Sequence, residues 1–431
     1  MIDKDKRYWF YIYPYVYLTV RKGKLLAFNT RNGRNIETGS SICISLVEEV
    51  QQKDRLGVTE LKKEYRMEEE CIRFIESALE KEIAGVTEII AGQPAPVIFR
   101  PVLNLQSEVD KMKNEKFNFI GQDLIRYLNQ LNIYINNSCI QTCKYCKDYY
   151  KQLPFCSCGD SPLRQTELRP EIIASMLERA KRSVMKKVNL LGGDVTRYPY
   201  WEELSRVMEA YNYEYHVWVA YTNLSLAKEW AEKRRDCVLD VLVSFPLEEK
   251  VFGPWISSLE QEEDRIFHFV VENEKQYERA EEIIRQYKIA QADILPFFNG
   301  SNRSFFEDQV ALSKEDILNG PIEQRVIFCN QKLNSNYFGI LNIMSDGNVW
   351  ANLHKGVIGN VYRNDLLEII YHEILTHASW RDIRSEAPCA ECLYQYLCPP
   401  PSNYEYVMKR YNLCSVEQGE RERVNFPEGG R

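Results

Sequence analysis

The chain has 431 residues, 45% of them hydrophobic and 27% charged, with a net charge of -7 and a pI of about 5.6. That length exceeds one ordinary core and predicts two or three domains, while the composition excludes wholesale disorder. No apolar run reaches membrane-span length, the start Met1-Ile-Asp-Lys-Asp-Lys-Arg7 lacks a secretory core, and no long basic stripe offers itself to phosphates, so a cytoplasmic protein with neither membrane nor nucleic acid as partner is expected.

Residues 15–20 and 24–29 are β-rich around the turn signal Lys22-Gly23, which predicts a hairpin. Helical patterns follow over 42–52, 58–65 and 68–83, the last with apolar residues at Ile72, Ile75, Leu79 and Ile83. Strands followed by three helices predict a winged-helix-like domain over residues 1–92. An exposed hairpin edge beside a helix can take an extended peptide as an extra strand. A DNA-binding winged helix is the rival, opposed by Met67-Glu-Glu-Glu70 at the head of the third helix; a purely structural domain is the other. Gly92-Gln-Pro-Ala-Pro96 punctuates the chain, and residues 93–130 read as a linker with helices.

From residue 131 strands and helices alternate. Residues 131–135, 188–191, 215–221, 239–245, 266–272 and 292–298 read as strands, with helical patterns between most of them, such as 170–185 and 276–287. Six such units predict a parallel sheet rolled into a partial barrel over residues 131–324, with ligands at the carboxyl ends of the strands. The first strand runs into Asn136-Asn-Ser-Cys-Ile-Gln-Thr-Cys-Lys-Tyr-Cys-Lys147, where Cys139, Cys143 and Cys146 are spaced C-x3-C-x2-C. Three thiolates on one short loop can wrap a cubane iron–sulfur cluster, and the missing fourth leaves one iron open, as a catalytic metal site requires. A structural zinc site is the plainer alternative. Later strand ends carry Leu191-Gly-Gly-Asp194, Tyr221-Thr-Asn223 and Ser244. Paired glycines let the main chain approach a ligand, and a carboxylate accepts from an ammonium. Cys156 and Cys158 read as small packed thiols in a loop, with a place beside the metal group, touching substrate, as the alternative.

Beyond residue 325 the pattern changes to a hairpin over 338–344 and 349–353, around Asp346-Gly347, and a helix over 366–375. Cys389, Cys392 and Cys398 then follow closely, with Cys414 further on. Four ligands fill a cluster's coordination, which predicts a closed cluster that transfers electrons or stiffens the fold; four-cysteine zinc is the rival. Thirteen cysteines, an odd number partly in tight clusters, suit metal ligation in a reducing compartment better than disulfides. Cys329, Cys43, Cys71 and Cys237 read as core thiols, the last three each alone on an apolar face.

Taken in order, these motifs resemble the radical SAM superfamily, and the resemblance covers most of the chain. It implies a 4Fe-4S cluster on Cys139, Cys143 and Cys146 whose open iron chelates S-adenosyl-L-methionine. Tyr145 would lie against the adenine, while Gly192, Gly193, Asp194, Asn223 and Ser244 would hold the rest of the cofactor. An electron from an external donor then releases a radical that abstracts hydrogen, so the cofactor carries the hard step. Asp194 stands where the family usually has glutamate, and Phe245-Pro-Leu-Glu248 lacks the usual Asp-Gly. The N-terminal domain resembles the element with which peptide maturases hold a precursor's leader. Residues 325–431 resemble a SPASM domain, which normally supports two auxiliary clusters. Asn352 and Ser402 stand where two further ligands are expected, so one auxiliary 4Fe-4S cluster is implied, on Cys389, Cys392, Cys398 and Cys414. Leu397-Cys-Pro-Pro-Pro-Ser-Asn-Tyr-Glu405 resembles the Bacteroidales pseudo-radical-SAM subgroup, here with the first cysteine loop intact.

The fold class so implied is α/β: a partial (β/α)6 radical SAM barrel with an N-terminal winged-helix-like domain and a C-terminal SPASM-like iron–sulfur domain. The implied function is modification of a ribosomally made precursor peptide by hydrogen abstraction, giving a cross-link, thioether or epimer. Two alternatives stand beside it: a non-catalytic companion that binds the precursor for a partner maturase, and a protein-modifying radical activator. With 27 tyrosines and many acids, no general base or radical quencher can be singled out.

Overall fold

The computed structural model describes residues 6–99, 124–141, 143, 146–153, 166–226, 230, 237–257, 265–376 and 379–416. The N-terminal part holds β1 (Tyr8–Ile12), β2 (Val16–Arg21), β3 (Lys24–Asn29), β4 (Asn35–Thr38), β5 (Val58–Glu60) and β6 (Ala84–Glu88), with helices Ser41–Gln51, Lys63–Met67 and Glu69–Glu80. They make two three-stranded sheets, ordered β2-β3-β4 and β5-β1-β6. The expected hairpin is β2-β3, turned by Lys22 and Gly23 at φ 49° and 71°, the pair of positive angles that matches strand twist. Glu69–Glu80 buries Cys71, Phe74, Ile75 and Ala78, the spacing of one helix face.

Two expectations change here. The helix expected over 58–65 begins only at Lys63, because Val58–Glu60 pairs antiparallel with β1, so tertiary pairing overrides local helical periodicity. Cys43 and Cys71 are buried but not alone: the two thiols interact across helices Ser41–Gln51 and Glu69–Glu80, which lowers the pKa of Cys43 and raises that of Cys71, and Cys43 Sγ donates to Glu70 O at 3.8 Å. Cys237 is buried and Cys329 half-buried. Most of the expected linker, together with Tyr145, Cys156 and Cys158, lies outside the described residues.

The middle of the chain supplies β7 (Gln130–Asn136), β8 (Lys187–Gly192), β9 (Glu214–Ala220), β10 (Val238–Ser244), β11 (Arg265–Val271) and β12 (Ala292–Pro296). All six pair in parallel in chain order, as strands joined by crossover helices do. Pro170 opens the helix Pro170–Ala180, and Asn273 caps Glu274–Tyr287 by accepting from Gln276 N at 3.1 Å. β13 (Ile340–Ile343), β14 (Asn348–Trp350) and β15 (Gly359–Asn360) extend the sheet, because β13 pairs in parallel with β7. The result is a nine-stranded, mostly parallel sheet ordered β12-β11-β10-β9-β8-β7-β13-β14-β15.

Alternation gives that sheet two different faces. Val188, Leu190, Val217, Val219, Val241 and Val243 enter the main core under the helices, whereas Tyr134, Leu191, Trp218, Leu242 and Val270 form a second apolar cluster on the opposite face. Two residues nearer the strand starts, the second face turns polar. Asn132 donates to Asn342 at 2.8 Å and accepts from Asn189 at 2.7 Å. His216 and His268 flank Asp240 at 2.7 and 2.8 Å, and His268 stacks on Trp218 with centroids 4.5 Å apart. Burial alone would raise the Asp240 pKa, but the hydrogen bonds from His216 and His268 outweigh it and hold it below the usual aspartate value.

The N-terminal sheet is docked onto the C-terminal region. Tyr17, Leu26 and Phe28 from β2 and β3 pack with Ile317, Ile327, Leu393 and Leu397. Ion pairs Lys22–Glu391 at 3.0 Å and Lys314–Glu37 at 2.8 Å flank the contact. Gly33 meets Gly320 so closely that a Cβ on Gly33 would stand 2.5 Å from a backbone carbon. No helix among the described residues is long and apolar enough to cross a membrane.

Candidate active site and cysteine sites

The cysteine loop leaves β7 at Asn136, a fully buried residue whose side chain and main chain both serve the next strand's end. Gly193 N donates to Asn136 O at 3.0 Å and Oδ1 at 3.1 Å, while Asn136 Nδ2 donates to Asp194 O at 2.8 Å. Asp194 N donates to Ser138 O at 2.7 Å. The glycines are required for space: a Cβ would lie 2.3 Å from Asn136 Oδ1 at Gly192 and 2.4 Å from Ser138 O at Gly193. The Gly-Gly-Asp turn thus clamps the stem of the loop.

Within the loop, Gln141 N donates to Cys139 Sγ at 3.4 Å, and Gln141 Nε2 donates to the buried Asn223 Oδ1 at 2.7 Å. That bond ties the loop to the segment after β9. Cys139 and Cys146 are half-buried and Cys143 exposed. Packing around the Cys143 sulfur, then the charges of Cys146 and Cys139, push its thiol up to about 11. Thiolates that repel one another this way need a cation among them to ionise together at neutral pH. Ser244 ends β10, half-buried. The Asp194 carboxylate caps its own turn, with Oδ1 accepting from Thr196 N at 3.1 Å and Oγ1 at 2.6 Å. What remains for a ligand is its second oxygen, the Asn223 amide nitrogen and the Ser244 hydroxyl.

Helix Cys146–Gln152 carries the last loop cysteine, and C-terminal residues close its end. His354 Nε2 donates to Lys151 O at 2.6 Å and Asn403 Nδ2 to Gln152 O at 3.3 Å, satisfying carbonyls left over at a helix end. Burial holds His354 down at about 4. Its ring stacks on Tyr406, with centroids 5.1 Å apart.

Cys389, Cys392, Cys398 and Cys414 line one cavity, together with Arg384 and Gln395. N–H donors face three of the sulfurs: Tyr394 N to Cys392 at 3.4 Å, Asn412 Nδ2 to Cys414 at 3.7 Å, and Arg384 Nη1 to Cys389 at 3.9 Å. Burial pushes Cys398 up to about 12 and also raises Cys389. Among the described residues no three Cys, His, Asp or Glu side chains converge on one metal ion. The donor set offered to a bound group is therefore the four cysteines lining one common cavity.

Asn352 and Ser402 serve local structure. Asn352 Oδ1 accepts from His354 N at 2.8 Å, and Ser402 forms a capping box with Glu405. Asparagines and an arginine bind the proline run: Arg384 Nε to Pro399 O at 2.6 Å, Asn336 Nδ2 to Pro400 O at 3.1 Å, and Asn334 Nδ2 to Pro401 O at 2.9 Å. Asn136, Gln141, Arg384 and Gln395 went unread in the sequence, since isolated polar residues carry no periodic signal.

No family model and no curated protein matches the chain. Among solved structures the chain is similar to Streptococcus suis SuiB bound to precursor peptide SuiA, with 14% identity and a TM-score of 0.45 over 94% of this chain and 98% of that one. It is also similar to SuiB bound to S-adenosylmethionine, with 13% identity and a TM-score of 0.39 over 94% of this chain and 97% of that one.

Proposed function

We propose that this chain is a radical SAM enzyme that modifies a ribosomally made precursor peptide. The observation that carries the reading is the junction of strand ends, where Gly193 and Asp194 bind the stem of the three-cysteine loop and Gln141 binds Asn223. Sequence motifs far apart in the chain thereby meet at the carboxyl ends of adjacent parallel strands, where such folds hold ligands. The chain-order succession of six parallel strands supports a partial (β/α)6 barrel.

Cys139, Cys143 and Cys146 would hold a cluster with one open iron, and Asp194, Asn223 and Ser244 would orient S-adenosyl-L-methionine beside it. Bound there, the two groups supply hydrogen abstraction after one-electron reduction by an external donor. Tyr134, Leu191, Trp218, Leu242 and Val270 form a buried apolar layer beneath the strand ends, which would keep water from the two groups. In the N-terminal part, β4 is an edge strand with helix Glu69–Glu80 beside it, and a leader would add there as a further strand. The four C-terminal cysteines would hold one auxiliary cluster.

The test is co-expression with a peptide encoded beside the gene, compared with a Cys139→Ala, Cys143→Ala, Cys146→Ala variant. A mass change or a blocked digestion site that depends on the three cysteines supports the reading; a peptide left unaltered by an iron-loaded wild type overturns it. The engagement of Asp194 Oδ1 by Thr196 favours a second reading, a companion that binds precursor for a partner maturase. A companion would bind the leader equally well in wild type and variant and alter nothing.

A further inference from the structure

We propose that the Arg384–Glu405 ion pair sets the reduction potential of the cluster held by Cys389, Cys392, Cys398 and Cys414, with Arg384 as the charge that favours the reduced state. It rests on the reading that these cysteines hold an iron–sulfur cluster. Arg384 lines their cavity and points Nη1 at Cys389 Sγ, 3.9 Å away. Glu405 closes on the opposite nitrogen, Nη2, at 2.6 Å. Both side chains are buried, at 7% and 3% exposure, so neither charge is screened by water.

The orientation of the pair is locked. Arg384 Nε donates to Pro399 O at 2.6 Å and Nη1 to Tyr411 O at 3.1 Å, so the guanidinium cannot swing away. Glu405 Oε2 accepts from Ser402 N at 2.9 Å and Oγ at 2.6 Å, drawing the carboxylate to the far side. The guanidinium touches both groups, with Nη1 facing Cys389 Sγ at 3.9 Å and Nη2 facing the Glu405 carboxylate at 2.6 Å, so Arg384 is the nearer of the two charges to the sulfur. The cluster therefore faces the positive end of a fixed, buried dipole. A purely structural ion pair would need no such polarity.

Reduction takes one electron from a low-potential donor, forms and breaks no bond, and adds one negative charge to the site. A cation beside a ligand sulfur stabilises that charge and raises the potential, as hydrogen bonds and local charge do for iron–sulfur centres generally. Removing Glu405 leaves Arg384 uncompensated and must shift the potential up. Removing both charges must shift it down. The opposite signs distinguish electrostatic tuning from loss of packing.

The experiment uses the full chain with Cys139, Cys143 and Cys146 all changed to Ala, so that one cluster remains. Its midpoint is measured by dithionite titration followed by paramagnetic resonance. The expected order is Glu405→Gln above the parent, Arg384→Met with Glu405→Gln below it, and Arg384→Lys near it. Coincident midpoints or a reversed order overturn the proposal. If the double variant loses its iron, Glu405→Gln alone still decides, since an unmoved or lowered midpoint refutes the dipole. A parent whose iron persists after Cys389, Cys392, Cys398 and Cys414 are changed to Ser would refute the cluster reading itself, and this proposal with it.

Discussion

Gly193→Ala places one methyl group where the site has no room. The added Cβ would stand 2.4 Å from Ser138 O, a backbone atom that cannot turn aside. Gly193 is not among the residues with positive φ, so alanine suffers no backbone strain there and the whole effect is steric. Either the Gly-Gly-Asp turn or the loop stem must retreat. Overpacking of this kind costs about 1–3 kcal/mol. Retreat also breaks the bonds from Gly193 N to Asn136 O at 3.0 Å and from Asp194 N to Ser138 O at 2.7 Å, each worth about 0.5–1.5 kcal/mol. The total is about 2–6 kcal/mol, concentrated at the three-cysteine loop. Urea unfolding should show the loss, and iron per chain after anaerobic reconstitution should fall by the first cluster alone. A Gly193→Ala protein with unchanged iron and a stability within about 0.5 kcal/mol of wild type would refute the clamp.

Three further outcomes follow from the packing. Asp240→Leu leaves His216 and His268 without their shared acceptor, and calorimetry should register a loss of about 1.5–3 kcal/mol, the worth of hydrogen bonds to a charged group; because the Asp240 pKa is lowered, the share of stability linked to its ionisation is present above pH of about 3.9 and lost as pH falls through the folded value. His354 is held down at about 4 by burial, so the folded state resists protonation. The stability this brings is complete above pH of about 6.5 and declines by about 3 kcal/mol on the way to the folded value; wild type should lose that much more than His354→Gln across the same range, and parallel pH profiles would contradict it. Phe28→Ala removes a fully buried ring from the contact between β3 and the C-terminal region and should cost about 3–5 kcal/mol; hydrogen exchange should quicken around Leu393 and Leu397 as well as in the hairpin, whereas a change confined to the hairpin would show that docking contributes nothing.

The six parallel strands were legible because most carry the apolar run of a strand buried on both faces, and β7, β8 and β10 end in the asparagine, glycine and serine that mark a turn. What that reading missed is the polar tier. Asn132, Asn189, His216, Asp240 and His268 each sit inside such a run, and only pairing in register brings them together. That Cys389, Cys392, Cys398 and Cys414 gather around one cavity was legible from their spacing. Their supports were not. Gln141 reaches Asn223 across the sheet, and Arg384 reaches Glu405 from 21 residues away, so neither pair leaves a local trace. β1, β5 and β6 escaped for a related reason: Val58–Glu60 is three residues long and acquires its strand character from β1. The joining of β13 to β7, about 210 residues apart, is likewise set by packing rather than pattern.

In the function proposed, the loop of Cys139, Cys143 and Cys146 carries a cluster able to cleave S-adenosyl-L-methionine. Formation of 5′-deoxyadenosine by anaerobically reconstituted protein with dithionite measures that step directly, beside the variant with all three cysteines changed to Ala. Product above the variant's background is the predicted result. Wild type and variant equally silent, with the wild type fully loaded with iron, would contradict it and leave the companion reading in its place.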